Sequence, residues 1–324
     1  MKLSRLLPLI GILIFIYLLT TIDIGKAVSL ILAASPVFLL IAVLITLFDV
    51  LVKAYKWKLI FNSYNISVPY IRFLKSWLIG LSFSLVTPGK IGDFVKAFYL
   101  KDKAPLGKGL TTVMADRIID LLTLFILAVI GLSIFSIFYA QSSILLISTI
   151  ALFALFILAI VLFARKKTAT YILHPFYLRL LPERYKSRVQ SVFSDFYSGI
   201  SLILGRKKTI AAVIALTFIV WLGSILSIYY MALSLGIEIP LSFLIIVFPA
   251  ITLLEALPIS FSGLGTRDAT LIFFFGYLSL SPEIAVSTSF LYLLVSYIFG
   301  LLGLVFWWKD PIKFHSEEKK NLSS

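Results

Sequence analysis

The sequence contains no cysteine, which excludes disulfides, thiolate nucleophiles and cysteine-ligated metals. Its two histidines, His174 and His315, each stand in a polar segment without a metal-ligand partner at useful spacing, so no metal or other cofactor is expected. Carboxylates are scarce, with 15 Asp and Glu against 29 Lys and Arg. No Gly-x4-Gly-Lys-Ser/Thr segment occurs, so a P-loop is excluded as an energy source. What the chain has in excess is apolar residues. Hydrophobic side chains make up 60% of it and the mean hydropathy is +1.07, against roughly 45–50% apolar in soluble domains.

Six apolar runs reach about the 20 residues that cross a bilayer. They are residues 6–22, 28–52, 110–138, 143–164, 209–235 and 283–308. The first is too long for a signal-peptide core, and Thr20-Thr21-Ile22-Asp23 is a poor cleavage site. The last closes on Trp307-Trp308-Lys309, an aromatic belt followed by a charge. Two further apolar regions, 70–100 and 241–280, are each long enough for two short helices but not for two crossings. The predicted fold is therefore an all-α integral membrane domain. It has six transmembrane helices plus two opposed re-entrant helical hairpins, arranged as an inverted repeat of 1–142 and 143–308, with a tail at 309–324.

The charge of +14 fits this topology rather than nucleic-acid binding, because Lys and Arg stay on the cytoplasmic side. With the N-terminus inside and both hairpins returning to their starting side, the inside holds Lys2, Arg5, the basic stretch 53–75, Lys101, Lys103, Lys108, the stretch 165–208 and the tail. The outside turns 23–27, 139–142, 236–240 and 279–282 hold a single lysine, Lys26. The reading is a multi-pass protein of the cell membrane with both termini cytoplasmic. Within 165–208, Val189, Val192, Phe193, Phe196, Ile200, Ile203 and Leu204 recur at helical spacing, with Arg184, Arg188, Ser191, Asp195 and Ser198 elsewhere around the helix. This predicts an amphipathic helix on the inner membrane surface.

The hairpins carry the candidate site. In the first, a short apolar arm over 73–87 is broken at Pro88 and Gly89, since proline lacks a donor and glycine permits a sharp turn. Helical spacing resumes with Ile91, Phe94, Val95, Phe98 and Tyr99 on one face. Lys90, Gly92 and Asp93 stand at the break. In the second, one arm ends near Pro258, with Glu255 late in it. The stretch Ser260-Phe261-Ser262-Gly263-Leu264-Gly265 cannot hold a comfortable helix, and a new one begins near Asp268, just after Arg267. Non-helical backbone at membrane depth must be buried in protein or line a wet cavity. A cation placed there costs at least ~2.5–3.5 kcal/mol. Helix N-termini freed by the breaks, together with Lys90 and Arg267, would receive an anion such as a phosphate headgroup. The plainer alternative is that Lys90–Asp93 and Arg267–Asp268 pair locally and hold the turns. Asp116, Arg117 and Asp120 form a third polar cluster, with Arg117 in reach of Asp120 at i,i+3. It is either a salt-bridge set at a helix end or a lining that pairs with Lys90 or positions a headgroup.

The segments TPGKIGDFVKA, MADRIIDLL and PISFSGLGTRDA, in that order, resemble the signatures of the flippase-like membrane family related to the transmembrane region of lysylphosphatidylglycerol synthase. The resemblance spans nearly the whole chain. It implies an integral membrane protein that moves an aminoacylated or otherwise modified lipid between leaflets. Family members commonly end the last motif with Arg-Glu; Arg267-Asp268 keeps the charges with one methylene fewer. The synthases also carry a soluble aminoacyl-transferase domain. This sequence ends in a short polar tail at Ser324, so aminoacyl transfer is not expected of it. Some relatives are linked to glycosyltransferases acting on polyprenyl lipids, which adds polyprenyl-phosphate as a substrate and a lipid-modifying enzyme or glycosyltransferase as a partner. The leading expectation is a lipid translocase or lipid-binding transporter for anionic headgroups. An integral transferase or phosphatase using Asp93, Asp116, Asp120, Glu255 or Asp268, and a membrane scaffold working through the basic loop, are the competing classes.

Overall fold

A computed structural model describes residues 7–140, 144–171 and 183–311. The expectations for Lys2, Arg5, His174, His315, residues 141–142 of one turn and residues 312–324 of the tail lie outside the described residues, as do the side chains of Arg184 and Arg188. Among the described residues every regular element is helical. In chain order they are α1 (Leu7–Thr21), α2 (Ile24–Leu32), α3 (Pro36–Phe61), α4 (Tyr70–Leu85), a 3-10 segment (Pro88–Leu100), α5 (Leu106–Phe135), α6 (Ile144–Ala164), α7 (Glu183–Leu204), α8 (Lys207–Ser234), α9 (Leu241–Glu255), α10 (Thr266–Gly276) and α11 (Pro282–Lys309).

Helices α3, α5, α6, α8 and α11 are each long and apolar enough to cross a membrane. The bent pair α1–α2 makes up to six spans, and the chain is a multi-pass membrane protein. The first two predicted spans change shape. Their boundary is not a simple turn: α1 and α2 meet at 93°, and the Asp23 carboxylate accepts from the Lys26 N–H at 2.9 Å to start α2. The run 28–52 is then divided before Pro36, and the crossing helix α3 continues to Phe61. The cause is local. An aspartate cap and a proline at the first helical position start new helices wherever they stand, even inside an apolar run.

Two of the four buried apolar clusters among the described residues seat the arms before the breaks on the other half of the chain. In one, α5 packs on α9 and α10 through Phe135, Phe243, Phe274 and their neighbours. In the other, α4 packs on α11 beside the long α3–α8 contact, around Leu78, Met231, Leu291 and Val295. Each arm before a break therefore lies on the last long helix of the other half of the chain. A glycine allows each approach. A Cβ on Gly131 of α5 would overlap the Ile246 carbonyl of α9, and one on Gly303 of α11 would overlap the Leu78 carbonyl of α4.

The predicted outside turns gather at one end of the bundle. Lys26 pairs with Glu283 at 3.7 Å, Ser35 N–H donates to the Ser234 carbonyl at 2.7 Å, and Tyr139 stacks edge-on against Phe243 at 5.3 Å. At the other end, Tyr99 Oη donates to the Asp310 carbonyl at 3.1 Å, Arg206 donates to Asn65 at 2.8 Å, and Arg72 pairs with Asp102. The amphipathic segment forms α7, but it rests on protein. Thr111 of α5 donates to the Phe196 carbonyl at 3.0 Å, and Ile203 is buried with Ile60 and Val213. Gly107 and Gly199 have no Cβ to hold the two backbones apart, so α7 seats on the start of α5 rather than only on a membrane surface.

Candidate functional site

Both breaks are built from left-handed backbone. Gly89 and Lys90 have φ of 60° and 56°; Ser262, Gly263 and Gly265 have φ of 49°, 77° and 80°. A lysine at positive φ is a strained choice that the surroundings must enforce. They do so by contact between the two breaks. A Cβ on Gly89 would stand 3.1 Å from Pro258 Cβ, Ser262 Oγ donates to the Leu85 carbonyl at 2.7 Å, and Lys90 pairs with Glu255 at 3.0 Å.

The segment after Pro88 departs from its predicted form in being 3-10 helix rather than α-helix. Gly92, Asp93, Lys96, Ala97 and Leu100 are buried, whereas Ile91 on the predicted apolar face is 63% exposed. The spacing alone does not say which way the apolar face points. In a membrane the outside is hydrocarbon, so an apolar face can face out and a charged face can pack against the protein. Gly92 seats the segment, because its missing Cβ leaves room for the Phe83 carbonyl while its N–H donates to Thr87 Oγ1 at 2.8 Å.

Between the breaks lies a cavity of about 150 Å³, roughly ten times the space one water requires. Lys90, Asp93, Asp116, Arg117, Asp120, Glu255 and Arg267 line it, all nominated from sequence. Pro88, Gly89, Gly92, Ser260, Gly263, Gly265 and Asp268 stand outside its lining. Ser260 bonds Thr266 Oγ1 at 2.8 Å and lies against Gly11 of α1. Asp268 accepts from the Gly265 N–H at 2.7 Å and from Ser289, so a carboxylate already caps the start of α10. The anion-receiving helix start expected there is occupied by the chain's own side chain.

The ion pairs are not the local ones expected. Arg117 donates to Asp93 through Nε at 2.9 Å and Nη2 at 2.7 Å rather than reaching Asp120. Lys96 pairs with Asp93 at 2.8 Å and Asp116 at 3.6 Å, and lies 5.1 Å from the Trp57 ring. Lys56, fully buried, pairs with Asp116 at 3.1 Å and with Asp120. These three cations and three carboxylates form one balanced cluster, and all but Lys56 line the cavity. Across it, Lys90 and Arg267 share Glu255, at 3.0 and 3.7 Å. Arg267 also donates to Ser289 Oγ at 2.8 Å and to the Ser262 carbonyl at 3.1 Å, with Tyr292 stacked 5.1 Å away.

Four charged residues of this site escaped the sequence reading: Asp49, Lys53, Lys56 and Lys96. Their signals were present. Asp49 stands inside an apolar run, where an ionisable residue is a functional hint in itself. Asp49, Lys53 and Lys56 fall at i, i+4 and i+7, one helical face. Asp93 and Lys96 are three apart, which aligns them in a 3-10 helix. Because they end a hydrophobic run, the basic residues 53–58 read in sequence as part of the cytoplasmic stretch 53–75.

The sequence matches the family model described as "Lysylphosphatidylglycerol synthase TM region" over residues 6–303. It is 25% identical over 309 residues to a UPF0104 membrane protein of Methanothermobacter thermautotrophicus, covering 91% of each chain. It is also 25% identical over 316 residues to a UPF0104 membrane protein of Pyrococcus horikoshii, covering 92% of this chain and 94% of that one. A third, from Methanocaldococcus jannaschii, is 24% identical over 250 residues, covering 72% of this chain and 97% of the relative. With almost the whole length matched, the chain belongs to the family of the lysylphosphatidylglycerol synthase transmembrane region.

Proposed function

We propose that this protein is a lipid translocase that receives an anionic headgroup, a phospholipid's or a polyprenyl phosphate's, in the cavity between its two helix breaks. The observation that carries the reading is that both breaks line one charged cavity inside an apolar bundle, joined across it by Lys90 and Glu255. Six cations, counting Lys56 behind the wall, face five carboxylates there, which leaves an excess positive charge for an anion. A second, apolar crevice of about 290 Å³, lined by Phe15, Val28, Leu264, Val286 and Phe290, shares Arg267 with the charged cavity. A lipid could thus place its headgroup on one side of Arg267 and a tail on the other.

In this reading 70–100 and 241–280 are re-entrant hairpins of an inverted repeat, and the halves rock against each other about the cavity. The exchanged contacts α4–α11 and α9–α5, each closed by one glycine, support the repeat. The site is in the cell membrane with both termini cytoplasmic, and a lipid-modifying enzyme or glycosyltransferase supplies or consumes the lipid. The test is purified protein carrying Lys90→Ala or Arg267→Ala. Each substitution lowers binding of fluorescent phosphatidylglycerol in detergent and slows its movement between leaflets of liposomes. Unchanged binding and movement in both variants would remove the reading. Metal-dependent hydrolysis of a lipid phosphate would replace it with an enzyme.

A further inference from the structure

Asp49 is the one carboxylate of the cavity wall that makes no ion pair among the described residues. It is 3% exposed and lines the cavity from α3. Its Oδ2 accepts from Ser224 Oγ at 3.1 Å, while its Oδ1 is buried with no hydrogen-bond partner. Among the described residues no cation stands within ion-pairing distance of it. The seat is shaped for the group: Gly223 of α8 lies so close that a Cβ there would overlap Oδ1. A buried carboxylate with one hydrogen bond and no cation in pairing contact is disfavoured, whereas the neutral acid is not. One carboxylate and one hydroxyl are a poor cage for a metal ion, which needs six or so oxygens, but a proton needs only one.

We infer that Asp49 is a proton-binding site whose occupancy sets the affinity of the cavity for an anionic headgroup. This rests on the translocase reading and names its coupling ion. The charged and titratable groups that line the cavity with Asp49 are Lys53 on its own helix, Lys90, Asp93 and Lys96 on the 3-10 segment, Asp116, Arg117 and Asp120 on α5, Glu255 on α9, Arg267 on α10 and Tyr292 on α11. Helix α8 presents Ser224 and Ser227, and α4 presents Trp77 and Ser84. A water-borne proton forms an O–H bond at Asp49 and returns to water when the cavity opens to the other face. Bound, it raises the formal charge of the wall by one, from a small excess to twice that excess. Proton and anion then bind with positive linkage, each favouring the other. A proton gradient would so draw anionic lipid in one direction without a nucleotide.

The experiment uses the full chain in neutral detergent and in phosphatidylcholine nanodiscs. Infrared difference spectra across a pH titration, with carboxyl-13C aspartate, show a protonated aspartic acid carbonyl band that is absent from Asp49→Asn. Fluorescent phosphatidylglycerol binds wild type several-fold more tightly at acidic than at alkaline pH. Asp49→Asn, a neutral isostere, binds at alkaline pH as tightly as wild type does at acidic pH. The inference is overturned if wild type shows no such band, if the band survives in Asp49→Asn, or if the variant keeps the full pH dependence of binding. The spectra of wild type need no variant to fold. A proton site with pH-linked binding but no lipid movement in liposomes overturns the translocase reading alone. Lipid movement with pH-independent binding overturns the proton site alone.

Discussion

Lys53 and Lys56 stand three residues apart on α3 and have opposite surroundings. Lys56 is fully buried between Asp116 and Asp120, with Thr217 Oγ1 at 3.3 Å. Lys53 lies half-buried at the cavity, 5.9 Å from the Trp77 ring, and among the described residues no carboxylate pairs with it. The two should therefore separate stability from binding. Lys56→Ala takes the ion pair from Asp120 and leaves Asp116 only its longer one with Lys96, and it lowers stability by about 3–5 kcal/mol, read as a fall in thermal unfolding temperature in detergent. Lys53→Ala leaves stability within about 0.5 kcal/mol. It weakens phosphatidylglycerol binding, measured by fluorescence, because it removes a cation that a headgroup can reach without breaking an existing pair. Equal destabilisation by both substitutions would refute this division. Both lysines were legible as charges near a helix end. Which one is sealed in and which one faces the cavity depends on the position of α5, which no local pattern of α3 records.

At the scale of elements, the breaks were readable and their packing was not. Pro88, Gly89 and the Ser-Gly run before Arg267 carry local backbone consequences that any context would show. The direction in which the 3-10 segment faces is a property of its surroundings. With lipid outside and ion pairs inside, the charged face turns inwards and Ile91 is left exposed. Glycine approaches are likewise invisible until the partner backbone is placed. Gly131→Ala and Gly303→Ala should each cost about 1–3 kcal/mol through overpacking against Ile246 and Leu78. Thermal unfolding checks this, and the matched loss is a consequence of the exchanged contacts α9–α5 and α4–α11. Gly265→Ala adds strain at φ 80° to a collision with the Gly11 carbonyl, so it should lose at least about as much and free α1 from the second break.

For the whole molecule, the absence of cysteine makes topology directly measurable. In intact cells a membrane-impermeant maleimide should label Lys26→Cys, which lies beside Glu283 at one end of the bundle. Lys103→Cys, beside Asp102 at the other, should react only after the membrane is opened. Labelling of both from outside would overturn the assigned orientation. The charge asymmetry behind this prediction was in the sequence, because the insertion of a chain into a membrane responds to Lys and Arg counted along it.

Composition, hydropathy and three motifs were enough to determine a helical, multi-pass membrane protein with polar breaks in two apolar regions. Those are properties of segments, set by transfer of each stretch into hydrocarbon and by the backbone limits of proline and glycine. The tertiary structure alone decided which charges meet. Lys90 finds Glu255 165 positions along the chain rather than Asp93 beside it, and Asp49 is left with one oxygen unsatisfied at a cavity wall. In a low-dielectric interior a charge is governed by whatever stands within a few ångströms, and that is settled only when helices distant in sequence are brought together.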